Sequence, residues 1–105
     1  MNINLTNLHN YYFTEINKIN DENTKSLYTD AIKCLDYDSI MYIGLYNSNN
    51  NEGFLWSNDD KIIEIMNIIN RYNNSHSGAS ISLTMSWIQK IYKQYIYEQY
   101  VWNIV

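Results

Sequence analysis

Apolar residues recur at helical spacing along most of this 105-residue chain. Between residues 5 and 19 they lie three or four positions apart, which places them on one face of a helix that Asn4 or Thr6 can cap. Residues 20–24, NDENT, interrupt this pattern and begin a second helix. The apolar face of the first helix comprises Leu5, Leu8, Tyr12, Ile16 and Ile19. The second helix has Asp21, Asn23 and Thr24 as candidate N-caps and Leu27, Tyr28, Ala31, Ile32 and Leu35 as its apolar face.

The middle of the chain has a different pattern. Residues 40–46, IMYIGLY, form a nearly continuous apolar run with β-branched and aromatic members, which predicts a strand buried on both faces. The polar segment NSNNNEG predicts a loop, and residues 54–56, FLW, return as a second strand of a hairpin. Ser57 then precedes a helix over residues 58–72. Its isoleucines cover more than one stripe, so we expect it to be the most buried helix.

The last third of the chain predicts another helix, over residues 80–93. Residues 94–105 fit both a continued helix and the alternation of a strand. We favour a helix through about residue 100, and the alternative is a third strand that completes a sheet with the hairpin. The predicted fold class is α+β, mostly helical: about four helices packed on a small antiparallel hairpin of residues 40–46 and 54–56. We expect a single globular domain over residues 1–105.

Composition and charge limit the cellular compartment and the classes of partner that we expect for this chain. Hydrophobic residues make up 46% of the chain, which is ample for a core, and the one cysteine, Cys34, fits a reducing compartment. Neither a signal peptide nor an apolar run of membrane-spanning length is apparent, so we expect a cytoplasmic protein with no membrane partner. The net charge of −4 divides into −6 over residues 1–60 and +2 over residues 61–105. Only Lys90 and Lys93 lie close together, which disfavours direct nucleic-acid binding and permits a basic partner.

Few sequence patterns in this chain are typical of metal binding, phosphate binding or catalysis. His9, Cys34 and His76 are far apart in the sequence, without the spacing of a zinc site, and we expect no metal and no cofactor. Gly78 stands alone without the lysine of a phosphate loop, and the order Ser77-Gly78-Ala79-Ser80 is not that of a nucleophile elbow. Four acids flank the two predicted strands and are interpreted as turn and helix-start residues, with a shared divalent ion as the alternative. They are Asp36, Asp38, Asp59 and Asp60.

Residues 73–80, NNSHSGAS, join the last two predicted helices. Ser77 or Ser80 can accept hydrogen bonds from the first N–H groups of the following helix, and Gly78 lets the chain turn. We interpret the segment as a cap and turn, with contact between His76 and a partner as the functional alternative. A small enzyme that uses His76 with Ser77 or Ser80 is a further alternative.

The segment H-S-G-A-S, followed by the apolar helix of Ile81, Leu83 and Met85, is similar to the H-S-G-x-S loop-to-helix junction of small, uncharacterised bacteriophage-encoded accessory proteins. The similarity covers about a dozen residues. A proline-containing acidic tail, which we associate with that pattern, is absent. The resemblance implies a small accessory protein of a phage or mobile element and brings no known activity.

These observations predict a small, acidic, non-enzymatic protein that binds a host protein or ribonucleoprotein stoichiometrically and inhibits it, as phage anti-defence proteins such as anti-CRISPR proteins do. The alternatives are a toxin-neutralising immunity protein and a homodimeric structural module. Because Tyr and Trp often anchor interfaces, the aromatic surplus favours a binder. The candidate partner-binding residues are His76, Ser77, Gly78, Ser80, Trp56, Tyr46, Asp36, Asp38, Asp59, Asp60 and Trp102.

Overall fold

The computed structural model describes residues 7–47, 53–72, 74 and 77–104, with the backbone alone at residues 102–104. Within these ranges the chain forms five helices and no strand. They are α1 (Leu8–Asn17), α2 (Glu22–Cys34), α3 (Tyr37–Leu45), α4 (Asp60–Tyr72) and α5 (Gly78–Ile104). Among the described helices, none combines the length and the apolar character that a bilayer crossing requires.

The predicted hairpin is wrong, and with it the α+β fold class. Residues 40–46 lie in α3 and just beyond it, and residues 54–56 belong to a turn. Asp36 favours the helix because its Oδ1 atom accepts the backbone N–H of Ser39 at 2.8 Å. Ile40 and Ile43 are buried at helical spacing. The apolar run was therefore one buried helix face together with side chains that line surface depressions.

Helix α5 is the centre of the fold. Its 27 residues span about 40 Å at 1.5 Å per residue, close to the longest dimension of the molecule, 43 Å. It packs against all four other helices, and most extensively against α3. Buried side chains recur along one face of α5: Ile81, Met85, Ile88, Ile91, Tyr92 and Tyr95. The helix continues to Ile104, so the alternative of a third strand in the tail is wrong.

Helix α4 is less buried than its isoleucines predict. Only Ile62, Ile65 and Ile69 are buried along it, while Ile63 is 42% exposed. The buried positions lie three and four residues apart and form one amphipathic stripe. The expectation that this helix is the most buried is therefore wrong, because α5 carries more of the core.

Short polar side chains cap the helices. Asp21 caps α2 by accepting the N–H of Thr24, Asp59 caps α4 by accepting those of Lys61 and Ile62, and Ser77 caps α5 by accepting that of Ser80 at 3.2 Å. Helix α4 thus begins after Asp59 rather than directly after Ser57. The candidate caps of the first helix, Asn4 and Thr6, lie outside the described residues.

Helix α3 is fixed on α5 by two features at its end. A Cβ atom at Gly44 would overlap the ring of Tyr92, so only glycine permits this close approach. The side-chain amide of Gln89 donates hydrogen bonds to the carbonyl oxygens of Ile43 and Tyr46, at 3.1 and 2.8 Å. Both carbonyls lie at the end of α3, where the last turn of a helix lacks its usual donors, and that of Ile43 also accepts the backbone N–H of Tyr46 at 3.3 Å. Both features fix α3 against α5, and with it the orientation of the α3 side chains that face away from the core.

Candidate functional site

Tyr42 and Asp59 join α3 to the start of α4. The Tyr42 hydroxyl donates to Asp59 Oδ2 at 2.7 Å, while Asp59 Oδ1 accepts the backbone N–H groups of Lys61 at 2.9 Å and Ile62 at 3.1 Å. The hydrogen bond from Tyr42 and that from the Ile62 N–H hold the pKa of Asp59 below its ordinary value. The same hydrogen bond raises the pKa of Tyr42, so this phenol acts as a hydrogen-bond donor at neutral pH.

A second contact anchors the turn of residues 53–57, called here the Trp56 turn. The Tyr46 hydroxyl lies 2.7 Å from Ser57 Oγ, and Ser57 Oγ also accepts the N–H of Asp59 at 3.1 Å. Phe54 is buried, and its ring lies 5.4 Å from that of Tyr46. These contacts bind the turn to both α3 and α4.

The anchored turn exposes its tryptophan. Trp56 is 72% exposed, more than any other large hydrophobic side chain of the described residues. Leu55 beside it is 40% exposed and lies against Gly78, where an added Cβ atom would meet Leu55 Cδ1 at 3.4 Å. The Trp56 turn therefore adjoins the first turn of α5, which Ser77 caps.

An open depression of about 740 Å³ lies beside α3 and is called here the α3 depression. Four of its lining residues are spaced i, i+3, i+4 and i+7 along one face of α3: Asp38, Met41, Tyr42 and Leu45. Asp59 and Lys61 lie across from them, and the Lys61 ammonium is 5.7 Å from the centre of the Tyr42 ring. Its lining combines carboxylates, phenols and apolar groups.

A second depression, of about 370 Å³, lies between α3 and α5 and is called here the α5 depression. Lys93, Ile96, Tyr97 and Tyr100 line it from α5 with the same i, i+3, i+4, i+7 spacing. Leu45 lines both depressions and is 69% exposed. Apart from the Lys93 ammonium and the tyrosine hydroxyls, the side chains of this depression are apolar.

The structure places several predicted candidates in one region. Tyr46, Asp38 and Asp59 line the α3 depression, while Trp56 and Gly78 lie at the Trp56 turn and beside it. The others have these positions: Asp36 caps α3, Asp60 lies in the first turn of α4, Ser77 and Ser80 form the α5 cap, and His76 and the Trp102 side chain lie outside the described residues.

The predicted acids take the roles of caps and helix starts. The N–H of Ser39 lowers the pKa of Asp36, as Tyr42 and the α4 N–H groups lower that of Asp59. Within the described ranges, no three cysteine, histidine or acidic side chains lie close enough to hold a metal ion together. Cys34 is half-buried, and burial raises the pKa of its thiol to about 11, which disfavours the reactive thiolate.

Sequence reasoning missed Tyr42, Leu45, Lys93, Tyr97 and Tyr100. In α3 the strand prediction hid the i, i+3, i+4, i+7 spacing that places Tyr42 and Leu45 on one face. In α5 the same spacing from Lys93 to Tyr100 was visible, but a helical stripe does not tell whether a face is buried or exposed.

No family model, no curated protein and no solved structure matches this chain.

Proposed function

We propose that this chain is a non-enzymatic binder that attaches to a host protein or ribonucleoprotein in fixed stoichiometry and inhibits it, in the manner of phage anti-defence proteins. An anti-CRISPR protein is the specific form that we propose. The Trp56 turn is the centre of the binding surface, and the α3 depression adjoins it through Tyr46 and Ser57.

The exposure of Trp56 on an anchored turn carries this proposal. An indole that is 72% exposed gains little from burial in the free protein. Its turn is nevertheless held by the buried Phe54 and by the contact between Tyr46 and Ser57. Because the turn is already ordered, a partner that covers Trp56 gains apolar burial at a small entropic cost. Tryptophan is one of the residues enriched among the hot spots of protein interfaces.

Charge supports a basic partner. Asp59 lies between the Trp56 turn and α4, and Asp60 is exposed in the first turn of α4. Residues 1–60 carry a balance of −6. A basic surface, such as the nucleic-acid channel of an RNA-guided nuclease, is complementary to this region and is guided to it at low ionic strength. The similarity of residues 76–80 to bacteriophage accessory proteins supports a bacterial host.

The test uses the tagged chain as bait in an extract of the host, followed by titration of the purified partner. We expect capture at a one-to-one ratio, and Trp56→Ala should weaken the affinity by about 30-fold, which corresponds to about 2 kcal/mol. If the partner is an RNA-guided nuclease, added chain should reduce target cleavage until one chain is bound per complex. Trp56→Ala should then require about 30 times more protein for the same inhibition.

Tyr97→Ala is the matched control. Tyr97 is 68% exposed and lies 19 residues beyond Gly78 on α5, about 28 Å along the helix. It should leave partner affinity within about threefold of the wild type. Equal losses for the two variants would contradict the assignment to the Trp56 turn. Capture of a toxin encoded beside the gene would support an immunity protein and overturn the anti-defence proposal.

A further inference from the structure

Helix α5 carries an apolar stripe outside the core. Ile96, Tyr97 and Tyr100 lie on one face, with Tyr97 68% and Tyr100 52% exposed. Lys93, one turn earlier, is exposed at the edge of the same face. Contiguous exposed apolar surface of this kind is available for association with another surface.

Helix α3 carries a stripe of the same form with the opposite charge. Asp38 is exposed at its beginning, and Met41, Tyr42 and Leu45 follow at helical spacing along the α3 depression. Leu45, the last residue of this stripe, also lines the α5 depression. The two stripes therefore form adjoining halves of one face.

Within the described ranges, the charged ends of the two stripes have no ion-pair partner. Among the described residues, neither Asp38 nor Lys93 takes part in an ion pair. The close approach of Gly44 to Tyr92 fixes α3 against α5, so the two stripes keep a constant position relative to each other.

We propose that this face is a two-fold interface between two copies of the chain, in which the α3 stripe of each copy packs in the α5 depression of the other. Asp38 of each copy then lies opposite Lys93 of the other, and Leu45 lies near the two-fold axis.

Charge complementarity selects a second copy as the occupant. A two-fold axis uses the same patch on both subunits, so every contact is made twice. An occupant of the α5 depression must present apolar groups with an acid beside them, and the α3 stripe presents Met41 and Leu45 with Asp38. Conversely, Lys93 matches the acidic α3 depression. Two local ion pairs thus counter the general repulsion between copies that each carry −4.

The arrangement goes beyond the proposed function and leaves it intact. Trp56 lines neither depression, so each copy of a dimer keeps its tryptophan available to a host partner. Trp56→Ala should therefore dimerise with the same affinity as the wild type.

Charge reversal across the axis tests the interface. The mass of the full chain is measured by sedimentation equilibrium from about 1 to 200 μM, a range that spans the affinities of modest dimers. We expect a concentration-dependent dimer for the wild type. Lys93→Glu and Asp38→Lys should each raise the dissociation constant at least about tenfold, because each breaks two pairs and places like charges together. The double variant should return to within about threefold of the wild type, since it restores both pairs with exchanged signs.

Two variants on α2 are the matched controls. Glu22→Lys reverses an exposed acid in the first turn of a helix, as Asp38→Lys does, and Lys33→Glu reverses an exposed lysine. Both should dimerise like the wild type, and circular dichroism checks that every variant stays folded. A wild type that remains monomeric throughout, or a double variant as weak as the single ones, overturns the proposal. A monomer that loses its host partner on Lys93→Glu also overturns it and assigns the face to that partner.

Discussion

Two tryptophans of this chain occupy opposite environments. The ring of Trp87 stacks on that of Tyr28, with centroids 4.3 Å apart and planes at 19°, and meets Tyr12 edge to face at 5.6 Å. Trp56 is 72% exposed, on a turn held by the buried ring of Phe54. Trp87 thus contributes its apolar surface to folding, whereas that of Trp56 remains available for association.

Their neighbours explain the difference. Trp87 lies on α5 beside the buried Ile88, whose carbonyl oxygen accepts the hydroxyl of Tyr12 at 2.7 Å. This contact ties α1 to the helix that carries Trp87, and α2 supplies Tyr28. Trp56 follows Phe54 by two residues in an irregular segment that Phe54 and Ser57 anchor, while the indole itself stays 72% exposed. A tryptophan surplus therefore indicates neither a core nor an interface until the packing partners are known.

Replacing Trp87 should have the largest effect. Trp87→Ala removes the stacking on Tyr28 and the edge contact with Tyr12, and leaves a gap, partly open to solvent, between α1, α2 and α5. We expect a loss of about 3 kcal/mol in the free energy of unfolding, measured by urea denaturation. Trp87→Phe, which keeps an aromatic ring, should lose about half as much. A loss below about 1 kcal/mol for Trp87→Ala would show that this cluster contributes little to the fold.

Replacing Asp59 should have an intermediate effect, because it weakens the anchor of the Trp56 turn. Asp59→Ala removes the α4 cap and the acceptor of the Tyr42 hydroxyl. The melting temperature should fall by less than for Trp87→Ala and by more than for Trp56→Ala. Ser77→Ala, which removes the cap of α5 alone, is the comparison.

Acid should narrow the difference in melting temperature between the wild type and Asp59→Ala. The pKa of Asp59 is lowered in the folded protein, so its contribution is fully present above its unfolded value of about 4. That contribution is lost as the pH falls through the lowered pKa. The melting temperatures of the wild type and of Asp59→Ala should therefore approach each other between pH 7 and about pH 2.5. A gap that widens in acid would contradict the assigned role of the carboxylate.

The sequence predicted the helices with a clear apolar period. Leu8, Tyr12 and Ile16 recur at helical spacing and are buried in α1, and the buried residues of α5 from Ile81 to Tyr92 follow the same rule. Ser77 was one of two predicted caps for the last helix and is the cap observed. These elements depend on local periodicity and capping, which a single sequence contains.

Residues 40–46 show why α3 and the candidate site were not predicted from the sequence. A short apolar run fits a buried strand and a buried helix equally well by periodicity. The signal that favours the helix lies before the run, where Asp36 precedes Ser39 by three residues and Asp38 enters the first turn. The candidate site could not be predicted from local patterns, because its contacts join residues that are distant in the sequence. The contact between Tyr42 and Asp59 spans 17 residues, and that between Gln89 and Tyr46 spans 43. Only the packing of α3 on α5 and on the residues that lead into α4 brings these groups together.

Replacing Trp56 should have the smallest effect on stability, and this completes the comparison. Trp56→Ala removes a side chain that the rest of the protein barely covers, so the free energy of unfolding should change by less than about 0.5 kcal/mol. The same urea titration as for Trp87→Ala measures it, so the two substitutions are compared under one condition. A loss above about 1.5 kcal/mol would show that Trp56 packs within the fold. The proposed binding function would then lose the observation that carries it, since an indole already buried has little apolar surface to offer a partner.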